Sequence, residues 1–344
     1  MDTPEQAALR AAVRDFCRKH ADARAWARLT GELGLTGVAI PECYGGAGAG
    51  LAEVAVAVEE TGRVLLPAPY LSTALAGAVL SEGEGVLGGS GAAEFLPGIA
   101  SGALRAAFVL GGSVAAGGGS LAAGGGRLTG VAHHVLDGAE ADLLVVRASD
   151  GEQDALFAVR AVDTVVTPAG TLDQTRSQAT VEFRDAPAVA AGRAAERAED
   201  LLRVMLAVES VGAAAHCLDV TVGYLKTRVQ FGRPIGVFQA LRHRCADLAV
   251  EVASARATAY AAVRAAASPA GSPVELAVLG PLAKRHCVDV FWHVAAEMIQ
   301  LHGGIGFTWE HEAHRYLKRA KTSQLLHGSP AELRRLVSQR AGLC

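Results

Sequence analysis

Two segments rich in glycine and cations contain the residue types best suited to binding an anionic ligand. The first, from Thr227 to Gly236 (TRVQFGRPIG), places arginines where a helical pattern ends, and a helix dipole favours cations there. The second, from Gln300 to Phe307 (QLHGGIGF), contains paired glycines whose exposed amides are suited to phosphate oxygens. An arginine fork is always charged and fits a pyrophosphate. Taken alone, each segment also fits an ordinary helix end or helix–helix connector.

Together with two further patterns, these segments resemble the acyl-CoA dehydrogenase family. The patterns are Ile40–Gly46 (IPECYGG) near the start and Arg315-x-x-x-Arg319-x-Lys321 near the end, and the resemblance covers nearly the whole chain. Members of this family carry FAD and remove an α-hydrogen as a proton and a β-hydrogen as hydride from an acyl thioester. The resemblance implies a tetrameric flavoprotein oxidoreductase of lipid metabolism or steroid degradation. Its substrate would be an acyl-CoA or another acyl thioester, with electron-transfer flavoprotein as a candidate electron acceptor.

The same resemblance assigns contacts to individual residues. It implies that three residues reach the ADP part of FAD: Arg228, Phe231 and Gln239. It implies that three more reach an FAD bound mainly by a neighbouring subunit: Gln300, Gly303 and Gly304. Arg203 is implied as a substrate-binding residue.

The base that the family uses for proton abstraction is missing from both of its usual places. Many members have a glutamate directly before a glycine in the last segment, where this chain has His327. The other place, on the helix before the first segment, holds Leu202 followed by a matching Arg203. Abstraction of the α-proton needs a base within hydrogen-bond reach, and leucine cannot serve. Two weak candidates remain, His327 and Glu209, and the alternative for Glu209 is a core carboxylate paired with a nearby arginine.

The flavin side of the family site is also altered. Where members have a Thr-Glu-Pro loop with Gly-Ser, residues 108–113 read FVLGGS. Where members have Trp-x-Thr/Ser, residues 133–138 read HHVLDG, so Leu136 replaces the hydroxyl and cannot donate a hydrogen bond. We interpret His133 and His134 as solvent-facing residues at a strand end, because no third metal ligand lies nearby in the sequence.

These departures leave three interpretations open. The chain is predicted to be the base-lacking subunit of a heteromeric acyl-CoA dehydrogenase, working with a homologous subunit. An alternative is a self-sufficient homotetramer that uses Glu209 or His327 as an atypical base. A third is a flavin-free scaffold that only binds a partner.

The elements that position these residues follow from the hydrophobic period. The period is helical from Pro4 to about Leu80, with one stripe formed by Ala8, Ala11, Ala12 and Phe16. Short apolar runs from about 104 to 189 indicate a small antiparallel β module, and four long helical stretches follow. We therefore expect an α+β fold like that of acyl-CoA dehydrogenases. Its parts would be an N-terminal helical domain (1–104), a β-barrel or sandwich (105–190) and a C-terminal four-helix bundle (191–344).

Composition excludes several other classes of function. The net charge is −3, so no basic field is available for nucleic acid. Two uncharged stretches contain prolines or many glycines, which argues against membrane spans. The six cysteines include no C-x-x-C pair, and no leader is recognised at the start. We expect a protein of the reducing cytoplasm without a metal site.

Overall fold

In the computed structural model, the chain forms two compact units. The first comprises Met1–Ala57 and Pro67–Leu202, and the second comprises Val58–Leu66 and Arg203–Cys344. Gly112 of the FVLGGS segment lies outside the described residues. The structure describes residues 2–22, 24–87, 91–111, 113–117, 125–149, 154–267 and 273–343. The division into three domains at 104 and 190 stays a prediction.

The N-terminal part of the chain is helical, as predicted. Its helices are α1 (Pro4–His20), α2 (Ala25–Leu33), α3 (Leu51–Arg63), α4 (Tyr70–Leu87) and the short α5 (Leu96–Ala100). Helix α1 begins with a capping box between Thr3 and Gln6, which satisfies the first free amides.

The predicted stripe on α1 is wrong at three of its four positions. Ala8, Ala11 and Ala12 are exposed, whereas Phe16 is buried together with Val13 and Cys17. The area that a side chain can bury decides which face of a helix packs, and alanine offers little of it.

The middle of the chain forms one curled β-sheet. Its strands are β1 (Ala106–Val109), β2 (Ser113–Gly117), β3 (Gly125–Leu136), β4 (Leu143–Ser149), β5 (Asp154–Arg160), β6 (Val165–Pro168) and β7 (Gln178–Gly192). The order is β1-β4-β2-β3-β7-β5, and β6 pairs with β7. Because β4 also pairs with β5, the sheet closes on itself around a core that includes Phe157 and Phe183.

The predicted purely antiparallel arrangement needs a correction. Strand β1 runs parallel to β4, with Ala106 opposite Leu143 and Val109 opposite Val146. The other long pairings are antiparallel. Apolar runs in a sequence show where strands lie but not their direction, and a parallel pair requires a long connection that periodicity does not reveal.

The C-terminal part contains the four predicted long helices and one more. They are α6 (Ala195–Thr227), α7 (Gln239–Ala267), α8 (Pro273–His302), α9 (Ala313–Leu325) and α10 (Pro330–Arg340). Helix α8 contacts α7, α9 and α10. The prediction missed α10, although the capping box between Ser329 and Glu332 and a proline at its first position mark its start.

Helix α6 is the core helix of the second unit from Arg203 onward. Among the described residues it alone is long and apolar enough to cross a membrane, and 78% of its apolar window is buried. A Cβ at Gly212 would lie 1.9 Å from the carbonyl oxygen of Glu59 in α3. The backbones of these helices therefore touch at a point that only glycine allows.

Candidate functional site

The first anion-binding segment is a small hairpin after α6. Strands β8 (Val229–Gln230) and β9 (Arg233–Pro234) pair, and the tip carries Phe231, which is 88% exposed with a φ of 54°. Arg228 lies at the base of the hairpin, where its amide donates to the Tyr224 carbonyl at 2.8 Å. The side chain of Arg228 is exposed, as is that of Gln239 at the start of α7.

The second segment follows α8 as a 3-10 turn, Gly303–Phe307. Gln300 is exposed in the last turn of α8, and Gly303 has a φ of 63°. No heavy atom beyond the neighbouring residues lies within 4 Å of the place where a Cβ would stand at Gly303 or Gly304. The main chain of this turn is thus open to the approach of a ligand.

A stack of aromatic rings joins these two segments. The ring of Tyr224, near the end of α6, lies 4.4 Å from that of His302, which directly precedes Gly303. His302 in turn lies 4.3 Å from His311. Its Nδ1 lies 2.7 Å from the Met298 carbonyl, and burial lowers the pKa of His302. The stack keeps the Arg228 hairpin beside the glycine turn.

Sequence reasoning missed this stack and a second one that neighbours it. His216 stacks on Tyr316 at 5.0 Å, and its Nε2 lies 3.0 Å from Glu312. The hydrogen bond from His216 lowers the pKa of Glu312. The only available signal was the density of histidines between 302 and 314.

The first segment fits the phosphate and ADP part of FAD, because the exposed Arg228 supplies a permanent positive charge to an anion. The glycines of the second segment leave room for a cofactor to approach the main chain closely. The flavin side does not fit in the same way. Leu136 is buried and apolar, so it offers no donor, and the neighbouring Asp137 accepts a hydrogen bond from Ser72 at 2.6 Å.

The two histidines at the end of β3 are exposed, as predicted. The Nδ1 atom of His133 lies 3.2 Å from the Thr180 hydroxyl. His134 has a φ of 56°, which fits the irregular pairing of β3 with β7 at this point.

The position where the family resemblance places a base lies in a tight turn between α9 and α10. His327 and Gly328 have φ values of 53° and 112°. Arg203 Nε donates to the His327 carbonyl at 3.3 Å, and Lys284 Nζ donates to the Gly328 carbonyl at 2.6 Å. Arg203 thus contacts main chain inside the second unit. Lys284 is fully buried, and burial followed by repulsion from Arg203 lowers its pKa to about 7.

Glu209, the other candidate base, is engaged by an arginine. Arg319 Nη1 lies 3.1 Å from Glu209 Oε1, and the two side chains are 2% and 12% exposed. This is the paired core carboxylate that the sequence offered as the alternative. Leu202, at the second place of the family base, is buried and apolar.

Two family models and a curated relative match this chain over most of its length. The family model "Acyl-CoA dehydrogenase, N-terminal domain" matches residues 3–103, and "Acyl-CoA dehydrogenase, C-terminal domain" matches residues 192–342. The acyl-CoA dehydrogenase IpdE2 of Mycolicibacterium smegmatis is 37% identical over 92% of this chain and 88% of its own length.

Solved structures of heteromeric proteins are also similar to this chain. The Tcur3481-Tcur3483 steroid ACAD superposes with a TM-score of 0.89 at 29% identity, covering 98% of both chains. The ChsE4-ChsE5 complex from Mycobacterium tuberculosis gives a TM-score of 0.87 at 26% identity, covering 100% of this chain and 99% of the other.

Proposed function

Because the chain belongs to the acyl-CoA dehydrogenase family, whose members are oxidoreductases acting on CH–CH groups, we propose that it is one subunit of a heteromeric dehydrogenase. In this enzyme the chain helps to hold FAD, and a homologous subunit supplies the base that removes the α-proton of an acyl-CoA.

One observation carries the proposal: neither place of the family base holds an available carboxylate. His327 and Leu202 stand there, and the nearest alternative, Glu209, is bound to Arg319. An α-proton of a thioester is only weakly acidic, so its removal needs a positioned base. Leu136 adds a second deficit, because it cannot hydrogen bond to a flavin.

The residues that the resemblance assigns to FAD binding have side chains or backbone suited to that contact. When bound, FAD accepts the hydride from the β-carbon of the acyl group. The Arg228 guanidinium would pair with its phosphates, and the open space beside Gly303 and Gly304 would admit an FAD bound mainly by a neighbouring subunit. Phe231 and Gln239 are exposed and would contact the ADP moiety of the same FAD, whereas the exposed Gln300 would contact the FAD bound mainly by a neighbouring subunit.

The similar heteromers support both the assembly and a substrate class. The Tcur3481-Tcur3483 protein is a steroid ACAD, and ChsE4-ChsE5 is a complex of two different chains. We extend this to a CoA thioester of a bulky steroid-derived acid as the substrate, a tetramer with a homologous chain, and a place in the cytoplasm. Electron-transfer flavoprotein is the proposed electron acceptor.

The test compares the purified chain with the chain co-expressed with a homologous subunit that has the glutamate before its glycine. We expect the chain alone to reduce an artificial electron acceptor with acyl-CoA at least 10²–10⁴-fold more slowly than the complex, because a missing base alone costs roughly that factor. A matched complex in which the partner's glutamate is changed to glutamine should be as inactive as the chain alone.

Turnover by the pure chain at the rate of the complex would contradict this proposal. In that case Glu209→Gln and His327→Ala would identify the base of a homotetramer.

A further inference from the structure

The turn between α9 and α10 is strained, yet it is held from several directions. His327 has a left-handed φ of 53°, which L-residues other than glycine rarely adopt, and Gly328 follows with 112°. On the far side, Ser329 is the N-cap of α10, and its amide donates to a Glu332 carboxylate oxygen at 2.8 Å. A strained backbone of this kind persists only where its surroundings determine it.

Two buried basic side chains from other helices donate hydrogen bonds to the main chain of this turn. Arg203 of α6 is 6% exposed and donates to the His327 carbonyl. Lys284 of α8 is 0% exposed and donates to the Gly328 carbonyl. Successive carbonyl oxygens are therefore bound by donors from two different helices.

Holding these two cations side by side is unfavourable. Charged and titratable groups face Lys284 from three elements: Arg203 on α6, Asp289 on α8 and Glu332 on α10. Burial, followed by repulsion from Arg203, outweighs the two carboxylates and lowers the pKa of Lys284 to about 7. A methionine or leucine would fill the same space without this cost, which indicates that the hydrogen bond to Gly328 is what Lys284 contributes.

We propose that Lys284 is a positioning residue which, together with Arg203, holds the main chain at residue 327 in the orientation that a base at this position needs. The inference rests on the proposed function, which takes position 327 as the place of the family base. In this chain the main chain at residue 327 is held in that orientation, although the side chain at 327 is an imidazole and not a carboxylate.

The first readout is hydrogen exchange of the turn, measured on the full chain in its assembled complex. Lys284→Met removes the donor at nearly constant volume, and we expect residues 325–329 to exchange at least tenfold faster. Lys284→Arg restores a donor and should return most of the protection. Arg285→Met is the matched control, because Arg285 lies next to Lys284 on α8 and pairs with Asp289 of the same helix. Unchanged exchange in Lys284→Met would overturn the inference.

The second readout separates positioning from a merely structural role. His327→Glu places a carboxylate in the turn, where it would take a Cα proton from an acyl-CoA and return a deuteron from D2O, with no oxidant required. The probes are butyryl-CoA and a steroid-acid CoA thioester, and deuterium is counted by mass spectrometry. We expect exchange in His327→Glu. Adding Lys284→Met should lower its kcat tenfold or more with little change in KM, and adding Lys284→Arg should largely preserve it.

The two readouts distinguish failure of the inference from failure of the proposed function. If Lys284→Met leaves the exchange by His327→Glu intact, Lys284 has no positioning role and the inference is wrong. If His327→Glu exchanges no α-proton although its turn is protected as in the wild type, position 327 does not face the acyl group. That result would overturn the placement on which both proposals rest.

Discussion

At the scale of single residues, Lys284 makes the stability of the fold depend on pH. Its ammonium is fully buried beside Arg203, and its pKa is lowered to about 7 from 10.5. Between these two pH values the unfolded chain holds a proton that the folded chain has released. Unfolding then takes up a proton, so the stability contributed at this site rises with pH from about 7 towards 10.5 and is lowest below pH 7.

Comparison of the wild type with Lys284→Met isolates this effect. Methionine does not titrate, so the difference in unfolding free energy should shift by about 2 kcal/mol in favour of the wild type between roughly pH 7 and pH 9. Urea unfolding of both proteins across this range measures it. Parallel stability curves for the two proteins would show that Lys284 keeps its proton in the folded state.

Arg228 is the residue on which the cofactor assignment depends most. Its exposed guanidinium at the end of α6 is expected to bind FAD phosphates, and a lost charge-assisted hydrogen bond costs about 1.5–3 kcal/mol. Arg228→Ala should therefore weaken FAD binding by the assembled complex roughly tenfold or more, as measured by flavin fluorescence.

The control for this measurement is Arg264→Ala. Arg264 is also an exposed arginine in the last turn of a long helix of the second unit. Equal FAD affinity of the Arg228 variant and this control would remove Arg228 from the cofactor site.

At the scale of elements, the contact of α3 with α6 depends on one glycine. A methyl group at Gly212 would overlap the Glu59 carbonyl, so Gly212→Ala forces the two helices apart and should destabilise the chain by about 1–3 kcal/mol or more. Gly223 lies on the same helix with no atom near its missing Cβ. Gly223→Ala should stabilise the chain by about 0.5–1 kcal/mol, because alanine favours a helix. Thermal unfolding that moves equally for both variants would contradict this packing.

Whether a segment forms a helix or a strand was predictable, because burial imposes a period on the sequence. Which strands pair with one another was not predictable. The long helices from α6 to α9 and the runs of β1, β4, β5 and β7 repeat at intervals that a sequence shows directly. Strand direction and the closing pair of β4 with β5 depend on contacts between distant segments. The exposed face of α1 was mispredicted because alanines fit either a buried or a solvated face.

The candidate site could be predicted only where one continuous segment of the sequence contains its residues. The Arg228 hairpin and the Gly303 turn were visible as glycine and arginine patterns. That Tyr224 and His302 bring them together was not visible, since the two residues are far apart in sequence and each is an ordinary aromatic on a helix. Arg319 as the partner of Glu209 was likewise beyond reach, because an ion pair across helices leaves no local signal.

At the scale of the whole molecule, the proposed function predicts how many FAD molecules the complex contains. In the proposal Arg228 belongs to the ADP side of the site, and Leu136 stands where the family resemblance places a flavin-side donor. We expect the complex with a homologous subunit to contain one FAD for each pair of chains. Flavin absorbance after denaturation, divided by the chain content from amino-acid analysis, gives the ratio. One FAD for every chain would favour the homotetramer, and no FAD at all would favour the scaffold.

The turn at His327 also bears on how such a chain evolves. Arg203 and Lys284 bind carbonyl oxygens, which every amino acid carries, so these two hydrogen bonds do not depend on which side chain stands at 327. A histidine codon becomes an aspartate codon by a single nucleotide change. A carboxylate can therefore reach this position in one mutational step and enter a backbone whose conformation Arg203 and Lys284 already hold.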